Sequence, residues 1–160
     1  MTPTGPTAAI SAQPTRQKVA GIVAGSPVLT LDGELPVEFL TPGDRVITRT
    51  GGMAVLREVR VRHLRSRAVQ VAAGSIGHDR PEADLVLPAE QKVLVRDWRA
   101  RAIFGQPEAL VEVARLADGQ FVRGIGELEM TLFELVFDRP HVIYVGGMEL
   151  AAGTQVQEAA

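Results

Sequence analysis

Apolar and polar positions alternate in short runs along most of the chain, and turns bearing glycine or proline separate one run from the next. Period-two alternation places apolar side chains on one face of a half-buried strand. Residues 55–63 show it clearly, with Val59 and Val61 on one face and Arg60 and Arg62 on the other. Further strands are predicted over 28–31, 45–50, 68–71, 84–87, 92–95, 109–113, 121–123, 130–137 and 142–145. Gly51-Gly52 has the composition of a two-residue hairpin loop. Helical periodicity is scarce: residues 37–40 and 113–116 each suffice for a single turn. Many short strands with Gly/Pro turns predict an all-β domain rather than a βαβ one. Residues 1–18 are rich in Thr, Ala and Pro without periodicity and are expected to form a flexible leader. The domain then covers 19–152, and 153–160 is expected to be a flexible tail.

Composition narrows this picture. The chain has 160 residues, enough for one core, and its 4 % aromatic content leaves Val, Leu, Ile and Ala to build it. A net charge of −2 provides no general attraction to nucleic acid or to an anionic membrane, and neither is expected as a partner. With no cysteine in the chain, disulfides, thiolate catalysis and cysteine-ligated metals are excluded. No apolar run approaches the ~20 residues of a membrane span. No basic start followed by an apolar block marks a secretory signal, so the cytoplasm is the default placement.

The individual candidates for chemistry are thin. The three histidines, His63, His78 and His141, lack metal-ligand spacing and read as ordinary surface residues, so no metal or other cofactor is expected. Arg57, Arg60, Arg62, Arg65 and Arg67 read as a solvated strand face, because no aromatic residues are interleaved for base stacking. The segment Gly124-Ile125-Gly126-Glu127 reads as a turn. Ser26 follows Gly25 and reads as a turn residue or strand start. As a nucleophile it needs a base, and His141, three residues after Asp138, is the histidine set in strand-like sequence.

The order of these features resembles a known family. The stretch GIVAGSPVLTLDGELPVEFLTPGDRVITRTGG, residues 21–52, is similar to the first block of bacterial Hint domains, the fold shared by inteins and the Hedgehog autoprocessing domain. Gly25-Ser26, Thr30, Asp32-Gly33, Val37-Glu38, Leu40, Gly43-Asp44 and Val46 fall on its pattern. The segments RAVQVAAGSIG, ADLVLPAEQKVLVRDWRARAIFG, VEVARLADG and LFELVFDRPHVIYVGGMEL resemble the later blocks in the family's order. The resemblance covers residues 20–150 and implies a horseshoe of bent antiparallel strands with little helix.

It also implies a chemistry. In the family a cysteine or serine at the first position attacks the preceding carbonyl, and a histidine in a [Ser/Thr]-x-x-His block protonates the leaving amine. Here the first position falls on Gly21, the Ser/Thr on Pro88 and the histidine on Gln91. Ser26 falls on the family's Thr five residues further on. Pro140 stands where relatives often have a histidine, and His141, one residue later, points to the opposite strand face. Glycine supplies no nucleophile, and glutamine does not titrate. Gly21, Pro88 and Gln91 are therefore expected to be vestigial positions of an inactive site. The implied role is a binding or structural module, whose partner is its own leader near Val19-Ala20 or another protein segment. Two alternatives are a self-cleaving domain using Ser26 with His141 or His78, and an unrelated β-rich interaction module.

Overall fold

The computed structural model describes residues 18–77 and 79–153. The expected leader up to residue 17, His78 and residues 154–160 lie outside the described residues. Strands dominate: β1 (Ile22–Val23), β2 (Pro27–Thr30), β3 (Gly33–Pro36), β4 (Arg45–Thr48), β5 (Gly52–Val55), β6 (Glu58–Val71), β7 (Leu85–Pro88), β8 (Lys92–Val95), β9 (Ala109–Glu112), β10 (Val122–Val136), β11 (His141–Val145) and β12 (Met148–Ala152). One sheet has the order β1-β10-β6-β7. The other has the order β3-β2-β4-β11-β12-β8-β9, with β5 also on β4 and a further β2–β11 pairing. The fold is all-β and its strand pairs are antiparallel. Aliphatic side chains from both sheets, among them Val28, Val46, Val71, Val93, Ile143 and Leu150, make one core with Phe137.

Strands β6 and β10 pair from Glu58↔Val136 to Val71↔Val122. The sequence pattern splits each into two, because much of β6 is solvated and only its last turns of pleat, around Ala68, Val69 and Val71, are buried. The exposed half is closed by cross-strand ion pairs, Arg62–Glu134 at 3.1 Å and Arg65–Glu127 at 3.3 Å. The segment 124–127 is a bulge inside β10 rather than a turn. The register shifts between Gly124 and Glu127, and Gly126 sits at φ +86°, where glycine carries no Cβ penalty.

The two single turns expected from the sequence are 3₁₀ turns, Val37–Phe39 and Val113–Leu116. One α-helix, α1 (Trp98–Phe104), was not expected. Its signals are local ones: Asp97 caps it by accepting the Arg99 N–H at 3.0 Å, and Gly105 ends it in the left-handed region at φ +72°.

Candidate functional site

The chain between β7 and β8 is a tight turn in which the Gln91 N–H donates to the Pro88 carbonyl at 3.0 Å. The Gln91 carbonyl accepts from the Val113 N–H at 2.9 Å, fixing the residue from the other side. These bonds turn the Gln91 side chain inward, where it is 2 % exposed. Its amide is fully used. Oε1 accepts the Gly21 N–H at 2.8 Å. Nε2 donates to the carbonyls of Lys92 and Ala151, each at 2.9 Å. The partners fix the orientation of the amide, since a flipped group would face an N–H with an N–H and two carbonyls with one oxygen.

Gly21 immediately precedes β1, which pairs with β10 through Ile22↔Phe133 and Val23↔Leu132. Its φ is +142°, and a Cβ built there would lie 3.1 Å from Leu132 Cβ and 3.4 Å from the Phe133 carbonyl oxygen. A side chain at this position therefore requires the backbone to move. Glycine here is part of the local conformation as well as a missing side chain. The geometry has a direct chemical meaning. The nitrogen of the Ala20–Gly21 peptide presents its proton to an acceptor, and that acceptor belongs to a side chain that does not titrate.

Pro88 is buried and serves the turn through its carbonyl. Ser26 is 8 % exposed and closes the β1–β2 connection. Its N–H donates to the Val23 carbonyl at 3.0 Å, and its carbonyl accepts the Val37 N–H at 2.9 Å. His141 pairs with Ala152 across β11 and β12, and its ring meets Phe137 edge-on with centroids 5.6 Å apart, beside Gly51 of the β4–β5 hairpin. Burial, and then the charge of Arg139, push its pKa below the ordinary histidine value. His63 Nδ1 is 3.0 Å from Thr131 Oγ1. Among the described residues, no hydrogen bond joins Ser26 to a histidine. Nor do the described residues group three or more His, Cys, Asp or Glu side chains in a way that could hold a metal.

Sequence reasoning missed several participants. Glu90, beside Gln91, accepts the Val19 N–H on Oε1 at 2.7 Å. Glu112 pairs with the Lys18 ammonium. The Ala151 carbonyl comes from β12, distant in the chain. Neither acid stands in a recognisable motif, and a backbone carbonyl leaves no signature in sequence. A shallow groove of about 260 Å³ adjoins Val19, Ala89 and Glu90. A larger hollow of about 650 Å³ lies along α1 at the opposite end of β8 from Gln91.

With first strand, β7–β8 turn and closing strand converging on one side chain, comparison with known proteins becomes decisive. A family model described as Hint domain matches residues 20–154. The chain belongs to the Hint domain family. Solved Hint-fold structures agree. A bacterial intein-like domain from Clostridium thermocellum is 17 % identical, with 86 % of this chain and 100 % of that one covered at a TM-score of 0.59. The DnaB intein of Synechocystis sp. PCC 6803 is 10 % identical, with 85 % and 100 % covered at a TM-score of 0.60. The Msm DnaB1 intein splicing domain, solved with zinc, is 17 % identical, with 83 % and 99 % covered at a TM-score of 0.53. At these identities the likeness establishes the fold. No curated protein matches the chain in sequence. Membership of the Hint family removes the reading of an unrelated β-rich module.

Proposed function

We propose that this Hint domain has kept the autoprocessing scaffold without the acyl shift, and that it acts as a structural module holding the segment before Gly21 uncut. The observation that supports this is the 2.8 Å hydrogen bond from the Gly21 N–H to Gln91 Oε1. Cleavage at the Ala20–Gly21 bond needs a nucleophile to attack the Ala20 carbonyl and a proton for the departing Gly21 nitrogen. Gly21 offers no attacking atom. Gln91 accepts at the nitrogen that would need a proton, and its two N–H groups are committed to Lys92 and Ala151.

The self-cleaving alternative needs Ser26 and a histidine as a working pair. Ser26 lies in a backbone turn, and His141 packs on Phe137. The test is the intact mass of the full chain carrying an N-terminal tag, followed over days with and without thiol or hydroxylamine. A single undiminished mass is expected under every condition. A fragment ending at Ala20, or its hydroxamate, overturns the proposal.

A further inference from the structure

The residues just before Gly21 are gripped by side chains as well as by backbone. The Lys18 ammonium sits on the Glu112 carboxylate. Glu112 ends β9, where its cross-strand neighbour is Lys92, and its carboxylate forms an ion pair with Lys18. One residue on, the Val19 N–H donates to Glu90 Oε1 at 2.7 Å. The Val19 side chain packs on a small apolar cluster of Ala68, Met130 and Leu132, separate from the main core. Three elements thus converge on two consecutive residues: the end of β9, the β7–β8 turn and the β6–β10 ribbon.

A cradle made only of backbone bonds accepts any sequence. These contacts discriminate. Glu112 favours a cation and repels an acid, while the Ala68–Met130–Leu132 surface favours a compact apolar side chain and leaves a polar one unpaired. From this we infer that the domain selects its upstream segment by sequence. It reads a basic residue three positions before Gly21 through Glu112, and a small branched apolar residue two positions before through the cluster under Val19. Glu112 and the cluster residues are specificity determinants for a polypeptide ligand of that pattern, here supplied by the chain itself. The inference rests on the reading of an uncut junction, because only a retained segment keeps the site filled.

Amide hydrogen exchange of the full-length protein tests it. The Val19 amide reports the grip, and the Ile143 amide in β11 reports global opening. Lys18→Glu is expected to speed Val19 exchange about fivefold, the scale of a solvated ion pair turned repulsive, with Ile143 unchanged. Glu112→Lys is expected to do the same. The double swap, Lys18→Glu with Glu112→Lys, is expected to return Val19 to within about twofold of the starting protein. Unchanged Val19 exchange in Lys18→Glu, or a double swap without rescue, overturns the inference. The intact mass of the same samples keeps the two questions apart: a cut at Ala20 defeats the uncut junction, whereas an intact chain with unmoved exchange defeats only the sequence-selective grip.

Discussion

At the scale of the residue, Gln91 holds more of the architecture than its size suggests. It is buried, and its side chain satisfies one N–H and two carbonyls from three separate segments. Gln91→Ala strands all three, and the expected cost is about 3 kcal/mol in urea unfolding, since each abandoned buried polar group contributes a sizeable share. His141 adds a pH dependence of definite sign. Its folded-state pKa is depressed, chiefly by burial and then by Arg139, so the unfolded chain takes up the proton first. Its contribution is complete above the ordinary value of about 6.5 and is lost as pH falls through the lower folded-state value. Stability measured from pH 7 to 5 is expected to decline, and His141→Gln is expected to flatten that slope. The resemblance to Hint domains pointed to Gly21 and Gln91, and the structure joins the two by a hydrogen bond. Glu90, Glu112 and the Ala151 carbonyl were not, because their roles arise only when distant segments meet.

At the scale of the element, strand period was readable and strand length was not. The buried ends of β6 and β10 advertise themselves through Val69, Val71, Leu132 and Leu135, whereas the solvated middle carries charge on both strands. There, cross-strand pairs such as Arg62–Glu134 replace the apolar alternation on which prediction depends. A bulge and a turn also share the same glycines, so segment 124–127 looked like a break in the chain until its pairing was known. Helix α1 depends on Asp97 twice. Asp97 caps the first turn, and its carboxylate pairs with the Arg99 guanidinium, which also donates to the Ser75 carbonyl at 3.0 Å. Asp97→Ala removes the cap and takes the ion-pair partner from a buried cation. Its expected cost is about 3 kcal/mol by thermal or chemical unfolding, well beyond the ~1 kcal/mol of a lost cap alone. Asp97→Asn, which can still cap, is expected to cost less than Asp97→Ala.

At the scale of the whole molecule, the Hint fold brings the first strand and the closing strand to one centre, and here Gln91 occupies it. The all-β class follows from short apolar runs and turn glycines that the sequence displays openly, the antiparallel strands were implied by the resemblance to Hint domains, and the division into two sheets emerges only in the structure. What the centre does depends on the direction of one hydrogen bond, which no residue pattern encodes. On the proposed reading, the junction is gripped through its own N–H by an acceptor unable to titrate. Amide exchange at Gly21 in the full chain tests this most directly. Gly21 is expected to be protected at least about a hundredfold relative to an unstructured amide, and Gln91→Ala is expected to remove most of that protection while the Ile143 amide stays slow. Exchange of Gly21 at the rate of an unstructured chain, or protection that survives Gln91→Ala unchanged, would contradict it.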